Sequence, residues 1–237
     1  MKITVMAKTS VIDLPESVEG TSFADFYYGG GDALLNDADT LAHFAGRSCY
    51  QAWNMPNEAT RTNQGYINNI INQGHFSVLE HGSVTFYIEG VSRSLTHELI
   101  RHRHLSYSEL SQRYVNMDEA AFIVPPVIVN GTDHWSYGDM ATHWERSVQL
   151  YNETVESLAE QGIKGKKARE AARSVLPGGA ETRIVVTGNH RAWRDMLHKR
   201  YSVHADAEIR QLAILLLKEL RKIAPATYQD FPDEPFA

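Results

Sequence analysis

The segment DAEIRQLAILLLKELRKI, Asp206–Ile223, limits the folding of this chain more than any other. Ile209, Leu212, Ala213, Leu216 and Leu220 recur at helical spacing and share one stripe. An isolated helix of this kind is marginal in water, so its stripe has to be covered. The cover is either the chain's own core or another copy of the chain. Three segments read as strands. KITVMAK, Lys2–Lys8, alternates. SVTFYIE, Ser83–Glu89, sets Val84, Phe86 and Ile88 against Thr85, Tyr87 and Glu89, which gives two unequal faces. TRIVVTG, Thr182–Gly188, is the third.

Helical patterns fill most of the rest. Ala33–Tyr50 carries Leu34, Leu35, Leu41 and Phe44. Asn63–Asn72 is followed by Gly74 as a stop. SRSLTHELI starts a helix with Ser92 or Ser94 as cap, and RHRHLSYSELSQRY, Arg101–Tyr114, lies where that helix ends. Gly138–Gln161 carries Trp144, Val148, Tyr151, Val155 and Leu158. KKAREAARSVL is stopped by Pro177 and two glycines, and HRAWRDMLHKR is short. Asp13–Gly31, rich in Gly, Pro and acidic residues, reads as a long loop. AAFIVPPVIV reads as extended, because consecutive prolines oppose a helix. Helices interrupted by a few irregularly spaced strands predict an α+β fold. With 237 residues, no repeat and no linker, residues 1–237 are expected to form a single domain.

The net charge of -6 disfavours a general nucleic-acid binder. The single cysteine, Cys49, excludes an intrachain disulfide and a cysteine-rich zinc site. The start lacks the apolar core of a signal peptide, and LAILLL is too short to span a bilayer. A cytoplasmic location is expected.

Within this acidic chain, Arg101, Arg103 and Arg113 are interleaved with Ser106, Ser108 and Ser111, and Glu109 is the only acid among them. Cations at a helix end are ordinary one at a time. A whole set of them suits a small anion, since arginine grips phosphate with paired hydrogen bonds and keeps its charge in a pocket. The spacing R-H-R, seven residues, S-x-R resembles the signature of the flavin-dependent thymidylate synthases. GHFSVLEH at 74–81, FAGRSCYQAW at 44–53, AARSVLP at 171–177 and TRIVVTGNHRAW at 182–193 resemble that family in the same order. The likeness runs from about Leu41 to Pro225 and is strongest to actinobacterial members.

The resemblance implies a flavin-dependent thymidylate synthase-like fold, with a central, mainly antiparallel sheet and several long helices. It implies synthesis of thymidylate from deoxyuridine monophosphate (dUMP), with FAD as cofactor and methylenetetrahydrofolate and NADPH as co-substrates. By position, Arg200 is the catalytic residue. It favours loss of the uracil N–H proton and so makes a ring carbon nucleophilic; considered alone, it reads as a helix-end cation. The residues matching dUMP binding are Glu98, Arg101, Glu109, Leu110, Ser111, Gln112, Arg113, Arg173 and Arg200. Those matching FAD binding are His75, Ser77, Glu80, Arg101, His102, Arg103, Glu109, Asn189, Arg191 and Asp195. The family is homotetrameric, with sites shared between subunits. No cysteine nucleophile is implied, and Cys49 reads as a buried small hydrophobe. Two positions depart from many members: Glu98 stands where glutamine is usual, and Cys49 where serine is.

Three rivals remain open at this level. Eleven histidines invite a metal reading, but no ligand spacing such as H-E-x-x-H is present and no metal is expected. Arg101–Arg113 with Tyr107 and Tyr114 could grip nucleic acid, although neither nucleic acid nor membrane is the expected partner. A relative that binds nucleotide and FAD without synthase activity is the third.

Overall fold

The computed structural model describes residues 1–29, 36–129 and 134–237. Four strands form one antiparallel sheet in the order β1 (Lys2–Lys8), β2 (Ser83–Ser92), β4 (Glu181–Asn189), β3 (Ser106–Glu109). β2 and β4 are its centre, with Phe86 opposite Val186 and Ile88 opposite Ile184. Their alternation gives the sheet one apolar face. Val84, Phe86, Ile88, Ile184 and Val186 are buried on it, while Thr85, Tyr87, Val185 and Thr187 on the other face are half-exposed.

The stripe of α9 (Ala207–Ile223) belongs to this core, together with Trp193 and Leu197. Ile209, Leu212, Leu216 and Leu220 are fully buried, each contributing roughly 1.5–3 kcal/mol relative to exposure. The cover for the stripe is therefore the chain's own sheet and helices.

Two helices leave the central strands directly. Ser92 caps α4 (Arg93–Leu99) by accepting from the Leu95 amide at 3.0 Å. Asn189 caps α8 (His190–Arg200) by accepting from the Ala192 amide at 2.8 Å. Because β2 and β4 are antiparallel, with Ser83 opposite Asn189 and Ser92 opposite Glu181, these helices start at opposite ends of the ladder. Their 7 and 11 residues reach about 10 and 16 Å. The strands span roughly 30 Å, so two helices folding back beneath them can meet end to end. Glu98 and Arg200 do meet there.

The other helices pack around this unit. They are α1 (Ser22–Tyr28), α2 (Asp37–Tyr50), α3 (Asn63–Gln73), α5 (Pro126–Val129), α6 (His134–Glu160) and α7 (Lys166–Ala172). α2 and α3 enclose Ala42, Tyr66, Ile67 and Ile70, whereas α6 and α7 close over Met117, with Tyr151 and Ala172 buried.

Three expectations need correction. The segment 13–31 is not all loop. Thr21 caps α1, and Phe23, fully buried, packs edge-on against His43, Phe44 and Trp53. Burial of aromatic rings outweighs the local composition. Pro126 opens a short helix, α5, where extended chain was expected, because proline is tolerated in a first helical turn. Finally, Ser106–Glu109 is an edge strand that the arginine pattern concealed. The helix expected from Ala33 starts at Asp37, and Leu34 and Leu35 lie outside the described residues.

Candidate functional site

Arg200 ends α8 and is largely buried, at 18% side-chain exposure. Its Nη1 donates to Glu98 Oε2 at 2.6 Å, Nη2 to the Glu98 carbonyl at 3.3 Å, and Nε to His102 Nε2 at 3.1 Å. Acceptance at Nε2 requires a neutral imidazole with its proton on Nδ1. His102 is held in that form. Burial and, next, the Arg200 charge lower its pKa from 6.5 to about 4. Its Nδ1 faces Asp195 Oδ2 at 3.9 Å, and Lys199 holds that carboxylate at 2.7 Å. His102, Arg200 and Glu98 thus form one hydrogen-bonded chain, with Asp195 at its His102 end.

Glu109, on β3, is committed internally. It pairs with Arg93 at 2.8 Å and accepts from Thr96 and Thr182 at 2.9 and 3.1 Å. Leu110 donates its amide to the Arg183 carbonyl and packs toward α6 and α7. The Ser111 carbonyl accepts from the Tyr114 and Val115 amides, which turns the chain away from the sheet. Gln112 and Arg173 line one cleft of about 520 Å³, together with Arg93, Ser94, His97 and Glu170. Arg113 stands nearby, with Nε 2.9 Å from Glu170 Oε2 but not aligned for a hydrogen bond. The cluster therefore has a second acid, Glu170, that proximity in sequence did not show.

His75, Ser77 and Arg191 line a cleft of about 420 Å³ with Cys49, Tyr50 and Tyr66. Gly74, at φ 69°, ends α3 in the left-handed region, and the chain turns there to present His75. Arg191 also borders a cleft of about 360 Å³ with Glu80, His104, Asn189 and Asp195, and its guanidinium pairs with Glu80 at 2.5 Å. Asn189 Oδ1 is already used as a helix cap. Arg101 and Arg103 are exposed, and neither has an ion-pair partner among the described residues. Cys49 is exposed in the cleft, which corrects its reading as a buried hydrophobe. The last turn of α2 faces solvent there, so the residue's small apolar character did not decide its place.

The structure thus gathers twelve of the seventeen expected residues into three groups and leaves Arg101, Arg103, Glu109, Leu110 and Ser111 outside them. Glu98 and His102 accept hydrogen bonds from Arg200, and Asp195 lies 3.9 Å from His102. Gln112 and Arg173 share one cleft with Arg113 beside it. His75, Ser77, Glu80, Asn189, Asp195 and Arg191 line two clefts that meet at Arg191. The second group shares no lining residue with the third. Arg93 was not expected from the sequence. Its signal was weak, since a lone arginine opening a helix resembles any solvated cation. Among the described residues no three His, Cys, Asp or Glu gather as a metal site, and no helix is long and apolar enough to cross a membrane.

Residues 33–226 match the family model described as thymidylate synthase complementing protein. The chain is 49% identical over 236 residues to a flavin-dependent thymidylate synthase of Mycolicibacterium gilvum, covering 98% of this chain and 90% of that one. It is 48% identical over 238 residues to the flavin-dependent thymidylate synthase of Mycobacterium tuberculosis, with the same coverage. The corresponding protein of Mycobacteroides abscessus is 46% identical over 236 residues, again with 98% and 90% covered. With the motifs in order, the antiparallel sheet in place and relatives this similar along nearly its whole length, the chain belongs to the flavin-dependent thymidylate synthase family.

Proposed function

We propose that this chain makes thymidylate by FAD-dependent reductive methylation of dUMP. Methylenetetrahydrofolate is the carbon donor, NADPH the reductant, and no cysteine acts as nucleophile. The observation that carries this reading is the fixed guanidinium of Arg200. Of the five N–H groups a guanidinium offers, Glu98 and His102 engage three, which leaves two for a ligand.

In this reading the uracil ring lies against those two donors. The guanidinium stabilises the anion left when the ring N–H proton departs, and the charge spreads to the carbon that accepts the methyl group. Arginine suits the role because it keeps its own proton. Arg101, Ser111, Gln112, Arg113 and Arg173 grip the nucleotide phosphate and sugar, and Glu98, Glu109 and Leu110 complete that pocket.

His75, Ser77, Glu80, Arg101, His102, Arg103, Glu109, Asn189, Arg191 and Asp195 hold FAD. The guanidinia of Arg101 and Arg103, unpaired among the described residues, with the donors that Arg191 keeps beside its pair with Glu80, suit a pyrophosphate. FAD, when bound, supplies the relay of electrons from NADPH to the transferred carbon. In this reading the protein is a homotetramer whose sites draw on several subunits, which would bring together the Gln112–Arg173 cleft and the Arg191 clefts that share no lining residue within one chain. The reading places the enzyme in the cytoplasm, with no nucleic-acid or membrane partner.

The test incubates purified protein with FAD, dUMP, methylenetetrahydrofolate and NADPH and measures thymidylate by chromatography. Product is expected with FAD and not after the flavin is stripped. Arg200→Ala is expected to fold, retain flavin and make no product. Turnover by that variant at the unsubstituted rate overturns the ring-activation step. Flavin-independent product overturns the cofactor.

A further inference from the structure

The end of α8 is held by a distant segment of the chain, residues 227–236. Helix ends fray unless tied down, and Arg200 is the last residue of its helix. Both its flanks are clamped. On the carboxyl side, the Phe236 amide donates to the Tyr201 carbonyl at 3.0 Å, and the Val203 amide donates to the Phe236 carbonyl at 2.8 Å. Ser202 and Phe236 form a parallel bridge. The buried Tyr201 donates its hydroxyl to the Asp233 carbonyl at 2.6 Å, and its ring meets Phe236 edge-on at 5.9 Å. On the amino side, the His198 ring packs against Phe231 at 4.6 Å and Phe236 at 5.6 Å.

The clamp is itself anchored through residues 230–233. Arg194, on α8, holds Asp230 with two bonds of 2.7 Å. Arg221, on α9, donates to the Phe231 carbonyl at 2.6 Å and pairs with Asp233 at 3.1 Å. Neither anchor points at Arg200. They secure Asp230, Phe231 and Asp233, and the Phe231 ring lies 5.8 Å from that of Phe236, whose own ring and backbone touch residues on both sides of Arg200.

We propose that Phe236 and Tyr201 are positioning residues for the reaction, acting through the backbone of residues 198–203 to fix the Arg200 guanidinium against the uracil ring. This rests on the reading that Arg200 activates that ring. Glu98 and His102 hold the guanidinium itself, and the clamp sets where the helix end delivers it. Loss of the clamp lets the delivery point shift. A shift of about 1 Å in a catalytic group can cost about a hundredfold in rate. The loss falls more on kcat than on KM, because Arg200 touches the uracil ring in the bound state but the anion it stabilises exists only on the way to the transition state.

Phe236→Ala tests this in the full-length, flavin-loaded protein, with Phe236→Leu and Arg200→Ala alongside. Phe236 is only partly buried, so the alanine variant is expected to fold. The expected result is a fall of at least about tenfold in kcat, with a smaller rise in KM for dUMP, flavin content unchanged and partial rescue by leucine. The deficit narrows at alkaline pH, where hydroxide assists loss of the uracil proton. Unchanged kcat in Phe236→Ala overturns the proposal. So does a loss that is equal at every pH and tracks thermal unfolding, since that marks a structural role only. If Arg200→Ala retains activity, the ring-activation reading has failed, whatever Phe236→Ala does.

Discussion

At the scale of single residues, charge placement separates the groups that can meet a ligand from those that hold the protein together. Glu109 Oε1 is occupied by Arg93, Thr96 and Thr182, and Asn189 Oδ1 by the Ala192 amide, so in the proposed reading they meet a ligand only through Glu109 Oε2 and the Asn189 side-chain N–H groups. Arg101 and Arg103 have no such partners among the described residues. Arg200 lies between these cases, tethered but with donors to spare. Cys49 is exposed in the cleft that His75 and Arg191 also line, with no hydrogen-bond partner among the described residues, and the proposed reaction does not use its thiol as a nucleophile. Cys49→Ala is therefore expected to yield thymidylate at a rate comparable to the unsubstituted chain. Loss of product with flavin still bound would favour a cysteine mechanism. The arginines, His75 and Ser77 were legible as a set from their motifs. Which of them were free was not, because Glu170 and Arg93 reach their partners only through the fold.

At the scale of elements, the junction of β2 with α4 carries Glu98 to Arg200. Its anchor is the buried Ser92. The Ser92 hydroxyl caps α4 through the Leu95 amide and donates to Glu208 Oε2 at 2.6 Å, while its amide donates to Glu208 Oε1 at 2.8 Å. Ser92→Ala removes the cap and leaves a buried carboxylate short of a donor. A loss of roughly 1–3 kcal/mol is expected, measured as a lower midpoint in urea with an unchanged slope. A change within error would show that water replaces the hydroxyl at Glu208. Capping at Ser92 was readable from sequence, with Ser94 as an equal alternative, because serine before a helical period is a general signal. The choice between them, and the link to α9, came from Glu208. β3 was not readable: SYSE is short and polar, and only pairing with β4 makes it a strand.

At the scale of the whole molecule, burial of histidines ties stability to pH. Burial is the first cause that lowers His43 to about 3 and His190 to about 4, against an ordinary 6.5. Between those values and 6.5 the unfolded chain binds protons that the native chain refuses, so stability rises with pH there and falls on acidification. Each histidine contributes up to about 1.4 kcal/mol per pH unit inside its window. Denaturation midpoints are expected to drop from pH 6.5 toward 4.5, and His190→Gln is expected to flatten that drop. An equally steep profile in the variant would assign the acid sensitivity elsewhere. The sequence by itself determined the α+β class, the central strands, the stripe of α9 and the motif set, because periodicity and motif spacing are local properties of a chain. Only the tertiary structure decided that the stripe lies against the chain's own sheet, that Cys49 is exposed and that Glu98 pairs with Arg200. Those facts depend on contacts between residues far apart in sequence, such as the 102 positions that separate Glu98 from Arg200, and no local pattern encodes such a distance.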